Sequence, residues 1–267
     1  MGESQEVPGF SAERFSHEGE ARTVYRAGNG PAVIVMTEVP GITPEVHSFA
    51  CRVRDAGFSV YLPQLFGEPM REFSFGYMAS TLSRICISKT FHVLAAHQSS
   101  PIVDWLRALA RHAHDEHGGP GVGAVGMCIT GNFGLAMMLD APVIAPVLSQ
   151  PALPFPLGRE RKQALHASDE EIDAAHSKID NEGAAILGLR FKGDPTCPAA
   201  RFRRLKREFG AAFEAIEIDD AHANPEGPKP AHSVLTKHLI DEEGEPTREA
   251  LERTLSFLRE HLVARPA

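Results

Sequence analysis

No apolar run in this sequence approaches the roughly 18 residues that a membrane-spanning helix needs, so a helical membrane protein is excluded. Basic residues are also short: Lys and Arg number 27 against 35 Asp and Glu, a net charge of -8 with no Lys/Arg block. An acidic chain of this kind repels a phosphate backbone, which argues against nucleic acid as a partner. Only four cysteines occur, at positions 51, 86, 128 and 197, and none forms a CxxC pair. In 267 residues that is neither a disulfide framework nor a zinc knuckle, so each thiol is considered alone. The opening Met-Gly-Glu-Ser-Gln-Glu is polar and acidic and lacks the basic and apolar stretches of a signal peptide. Its sixth residue, Glu6, departs from the myristoylation pattern. A reduced, cytoplasmic protein is the expectation, with no metal and no cofactor. Repeats and low-complexity tracts are absent too, and the single Trp105 reads as a core residue.

What is present is an alternation of two periodicities. Residues 10–27 have β character with a turn at Glu18-Gly19-Glu20. Residues 32–36 form a continuous apolar run, as in a strand buried on both faces of a parallel sheet. Thr43 followed by Pro44 opens a helix that Gly57 closes, and residues 58–62 make the next strand. Further along, helices are expected over 101–117, 130–139 and 247–262. Strands are expected over 122–127, 143–148, 184–191 and 213–218. Such alternation predicts βαβ units, a mostly parallel sheet and a single α/β domain over residues 1–267. The polar stretch 153–183 interrupts the rhythm and reads as a lid-like excursion over one end of the sheet.

The most informative stretch is Gly126-Met127-Cys128-Ile129-Thr130-Gly131, at the junction of an expected strand and helix. Small residues on either side of a nucleophile-type residue mark a nucleophile elbow, in which the reactive atom sits on a sharp turn. The following backbone N–H faces the same space, and the helix N-terminus adds positive potential that favours a thiolate. Gly121, Gly123 and Gly126 match GxGxxG literally, but they precede or lie within the strand. A dinucleotide site needs them after it. In this type of fold an acid and a His follow the nucleophile, each after a later strand. Asp194, on a turn after the strand ending at residue 191, and His232, on a loop before the last helix, occupy those places. Gly193-Asp194-Pro195 is also a common turn sequence, and His222 competes with His232 on position alone. His112, His114 and His117 have metal-like spacing but read as solvated residues on a polar helix end.

At these residues the chain resembles the dienelactone hydrolase family, the cysteine branch of the α/β-hydrolases, from about residue 31 to 262. Besides Cys128, Asp194 and His232, the resemblance includes Thr37-Glu38-Val39-Pro40-Gly41 after the first buried strand and residues 61–66 after the second. It implies an α/β-hydrolase fold, contact of Glu38 with the Cys128 thiol, and an oxyanion hole from the N–H groups of Val39 and Ile129. Glu38 taken alone is a solvated loop carboxylate. There are departures. Thr130 stands two after the Cys, where the family has Gly. Glu68 and Thr236 stand where two arginines hold an anionic lactone in the family, leaving Arg84 and Lys237 as candidate sources of positive charge.

The expected activity is hydrolysis of a small-molecule ester or lactone through a cysteine thioester. Because a thiolate is itself a good leaving group, enol-lactones, aryl esters and thioesters suit it better than amides. The alternative is a non-enzymatic thiol protein on the same scaffold, sensing redox state or binding a small molecule through Cys128.

Overall fold

The computed structural model describes residues 6–87, 101–153 and 158–263, apart from the side chains of residues 86 and 87. The first five residues and the Cys86 side chain, both considered above, lie outside this set, as do residues 154–157 of the expected excursion.

The elements in chain order are strands β1 (Ser11–His17), β2 (Glu20–Ala27) and β3 (Ala32–Met36), helix α1 (Pro44–Asp55), strand β4 (Ser59–Pro63), and helices α2 (Phe75–Ile87) and α3 (Ile102–His117). Strand β5 (Val122–Met127), helix α4 (Phe133–Ala136), strand β6 (Val143–Ser149), and helices α5 (Gly158–Gln163) and α6 (Asp169–Glu182) follow. The chain continues with β7 (Ile186–Phe191), α7 (Ala199–Phe209), β8 (Phe213–Ile218) and α8 (Pro246–Leu262). Among the described residues the strands form one sheet in the order β1-β2-β4-β3-β5-β6-β7-β8. β2 runs antiparallel to β1 and β4, and the remaining pairs are parallel.

Every residue of β3, β4, β5, β6 and β7 is buried, as expected for strands covered on both faces. Chain order reverses between β3 and β5, which are paired with Met36 opposite Gly126. Thr37–Val39 and Cys128–Ile129 therefore leave the sheet side by side, at the kind of switch point where open α/β sheets form a crevice.

Local signals set the helix ends. The Thr43 hydroxyl accepts from Val46 N at 3.4 Å and Pro44 opens α1. Ser168 and Glu171 form a reciprocal capping box on α6. The stretch 153–183 carries α5 and α6. α6 packs against α4 and β6, and it lies in the connection between β6 and β7. The helix expected over 130–139 is shorter. A 3-10 turn over Cys128–Asn132 leads into α4, which ends at Ala136. Two nitrogens of the Arg107 guanidinium donate to the Ala136 carbonyl, at 2.9 and 2.6 Å. Beyond it Met138 and Leu139 bond three residues back, Leu139 N to that same Ala136 carbonyl at 3.4 Å, and Asp140 turns at φ 52°.

Arg107 is buried and pairs with buried Glu171 of α6, tying α3, α4 and α6 together. Removing Glu171 leaves the buried guanidinium with only the exposed Asp104 carboxylate and opens the Ser168 capping box. Glu171→Ala is therefore expected to cost about 3 kcal/mol of unfolding free energy. Urea denaturation of the two proteins checks this, and a change within about 0.5 kcal/mol would contradict it.

Candidate active site

Cys128 adopts φ 61°, a conformation that costs a non-glycine residue on the order of 1–3 kcal/mol. Its neighbours leave room for no alternative. A Cβ on Gly126 would come within 2.1 Å of the Thr130 carbonyl oxygen, and one on Gly131 within 2.8 Å of the Ser149 carbonyl oxygen. Thr130, the departure from the family pattern, is fully buried and ties the bend together. Its hydroxyl accepts from Met127 N at 2.9 Å. Its proton faces the carbonyl oxygens of Met127, Met36 and Thr37 at 2.9–3.2 Å. The bulkier residue thus links the elbow to the end of β3, which a glycine cannot do. The other glycines of the GxGxxG match serve packing: a Cβ on Gly123 would lie 2.8 Å from Leu258 of α8, and one on Gly121 2.7 Å from Ile144.

His232 lines the same cavity as Cys128 and turns its Nδ1 to the Asp194 carboxylate. Its Nδ1 lies 2.6 Å from Asp194 Oδ2, so the Nδ1 proton is donated to the carboxylate and Nε2 is left for the thiol. The second carboxylate oxygen accepts from Thr196 N (2.9 Å), the Thr196 hydroxyl (2.8 Å) and Cys197 N (3.3 Å). Asp194 is buried at 2% exposure, which alone would raise its pKa. The bonds from His232 and Thr196 outweigh that and hold it below the ordinary 3.8. For His232 burial acts to lower the pKa, but Cys128 and Asp194 together hold the imidazole well above its ordinary 6.5.

Two buried arginines brace the Asp194 turn. Arg190 donates to the carbonyls of Cys197 and Lys192, at 2.8 and 2.7 Å. Arg201 donates to those of Thr196 (3.1 Å), Ala164 (2.7 Å) and Pro151. The loop bearing His232 is braced by buried His238, whose Nε2 donates to the Pro228 carbonyl at 2.7 Å. Its Nδ1 accepts from the N–H of Ser233 (3.0 Å) and His232 (3.3 Å). Burial lowers the His238 pKa and so favours this neutral form.

Glu38 is buried and lines the same cavity as Cys128, which replaces its reading as a solvated loop carboxylate. Its carboxylate accepts from the Ser233 hydroxyl at 2.6 Å, from Gln150 Nε2 at 3.3 Å and from the Thr236 hydroxyl. These three donors, rather than the expected Cys128 thiol, are its hydrogen-bond partners among the described residues. The reason is that Ser233 and Thr236 follow His232 and present hydroxyls to the loop after β3. Val39 and Ile129 also line the cavity, beside Cys128.

The two expected sources of positive charge are placed differently. Lys237 lines the cavity but pairs with Glu45, while Arg84 is exposed on α2 and is not among the lining residues. Glu68 is exposed and accepts from Arg71 at 3.1 Å. His222 lies on an exposed turn, 3.7 Å from Glu245. His117 lies within hydrogen-bonding distance of Ser59 and Tyr61, His114 of the Gly119 carbonyl, and His112 stacks on Phe15. Cys197 is fully buried and its thiol is pushed up to about 12 by that burial. Cys51, partly buried, lies 3.4 Å from His47.

Sequence reasoning missed Gln150, Thr196, Ser233 and His238, as well as the apolar wall of the cavity. Phe75, Met78 and Leu82 of α2 line it at helical spacing, with Phe73 just ahead of them. That i, i+3, i+7 stripe was the signal that could have found them.

The pKa directions fix the pH behaviour of the pair. The stabilisation from Asp194 is present above pH 3.8 and is lost as pH falls through its depressed folded value. That from His232 is complete below pH 6.5 and is lost as pH rises through its elevated folded value. Asp194→Asn is expected to lower the His232 pKa, read by NMR titration of the assigned imidazole. An unchanged or higher value would show that Asp194 does not act on the ring.

The model of the dienelactone hydrolase family matches residues 20–262. No curated protein matches the sequence. Among solved structures, a dienelactone hydrolase from Anabaena variabilis superposes with a TM-score of 0.55 at 14% identity, covering 96% of this chain and 100% of that one. A dienelactone hydrolase-like promiscuous phosphotriesterase from metagenomic libraries gives 0.57 at 16%, covering 95% and 99%. A thioesterase domain from the curacin biosynthetic pathway gives 0.53 at 8%, covering 92% and 99%. At these identities the structural likeness carries the fold, and the family model carries the relationship. The chain belongs to the dienelactone hydrolase family of α/β-hydrolase-fold hydrolases.

Proposed function

We propose that the protein hydrolyses an activated carboxylic ester or lactone, with Cys128 as nucleophile, His232 as general base and acid, and Asp194 as the group that orients the imidazole. The observation that carries this reading is that Cys128 and His232 line one cavity of about 300 Å³, with the imidazole bonded on its far side to the buried Asp194 carboxylate.

In this scheme His232 Nε2 takes the thiol proton and the sulfur attacks the carbonyl carbon. The C–S bond forms as the carbonyl π pair moves to oxygen, where the N–H groups of Val39 and Ile129 receive it. One such donor is typically worth about 3 kcal/mol. The oxyanion then collapses, the ester C–O bond breaks, and the leaving oxygen takes the proton from His232. A water molecule next gives a proton to His232 and attacks the thioester. The C–S bond breaks, the acid is released and the sulfur recovers its proton. The Nδ1 proton stays between His232 and Asp194 throughout. Glu38 contributes from the cavity wall through Ser233, which lies next to His232 in the chain.

The test is Cys128→Ala with 4-nitrophenyl acetate as substrate. Loss of at least about 1,000-fold in kcat, with a trapped acyl adduct on Cys128 of the wild type by mass spectrometry, is the expected outcome. A single stoichiometric burst without steady turnover would instead point to a reactive thiol that is no enzyme.

A further inference from the structure

The same cavity also speaks to the chemistry of what it holds. Its volume of about 300 Å³ is roughly twice that of a cavity known to accept benzene. Apolar side chains form most of its wall, with Phe73, Phe75, Met78 and Leu82 on one side and Leu153 from the loop after β6. Phe73 and Phe75 meet edge to face at 5.5 Å, and Phe75 is 64% exposed, an unusual position for a large apolar side chain unless something apolar passes over it.

The charges point the same way. Glu38 stands in the wall with only uncharged donors on its carboxylate, namely Ser233, Thr236 and Gln150. Among the described residues two lysines line the cavity. Lys237 is paired with Glu45 and stands 5.3 Å over the Phe73 ring, and Lys229 is exposed at the rim. His232 is already engaged with Asp194. A carboxylate entering with the substrate would lose its hydration to apolar walls and face Glu38, and among the described residues the lysine left to it, Lys229, stands at the rim.

We propose that the site takes esters or lactones whose acyl group is uncharged and apolar, and that it discriminates against acyl groups bearing a carboxylate. For its chemistry this inference rests on the hydrolase reading above. The pair to compare is 4-nitrophenyl hexanoate and the mono-4-nitrophenyl ester of adipic acid at pH 7.5, which differ at the far end of the acyl chain. The expected result is a preference of at least about tenfold in kcat/KM for the hexanoate, since the anion must be desolvated.

A second measurement needs no turnover. Hexanamide should protect Cys128 from iodoacetamide at concentrations about tenfold below those required of adipic acid monoamide. Equal or better turnover of, or protection by, the anionic member overturns the inference. Apolar-selective protection without turnover sustains the inference and sinks the hydrolase reading alone.

Discussion

Cys128 occupies a left-handed backbone position that a side-chain-bearing residue adopts only when its surroundings enforce it. The enforcement is visible on both sides of the bend. Gly126 and Gly131 allow the backbone to fold onto itself and onto the end of β6, and Thr130 holds β5 against the end of β3. Because β3 and β5 are adjacent and parallel, this single tie also sets where Glu38 and Val39 stand relative to the sulfur. A site built on strand ends in this manner inherits the rigidity of a sheet buried on both faces.

The Asp194–His232 side of the cavity is held by a different device. Asp194 lies on a short turn that would be mobile if left to its own hydrogen bonds. Arg190 and Arg201 bind the surrounding carbonyls from inside the protein, and both guanidiniums are buried. His238 does the same for the loop of His232, using one ring nitrogen as donor and the other as acceptor. That arrangement requires a neutral imidazole, and burial favours one. The carboxylate can thus be buried and still ionised, because three donors besides His232 meet its oxygens.

Glu38 shows the same principle with a different consequence. Hydroxyl and amide donors satisfy it without neutralising its charge, so the cavity keeps a negative wall beside an apolar one. Of the basic groups in the wall, Lys237 is spent on Glu45 and His232 on Asp194, while Lys229 stands exposed at the rim. Family membership and local electrostatics therefore convey different things. The first identifies a hydrolase scaffold, and the second shapes what that scaffold can admit.

The alternation of buried runs and amphipathic stretches determined most strands to within two residues, since a strand covered on both faces is predominantly apolar. β3, β5 and β8 have the bounds read from sequence, and Thr43-Pro44 marks the start of α1 because capping is a local interaction. The elbow around Cys128 was legible for the same reason: glycines flanking a turn act within a few residues. The partners of Glu38 were not legible, because Gln150, Ser233 and Thr236 reach it across 112 to 198 residues of chain. Nor was the early end of α4, where Arg107 of α3 donates to the last carbonyl. Such contacts arise only when the sheet has closed and distant loops share one edge, so tertiary structure alone decided which polar groups meet and which wall of the cavity stays apolar.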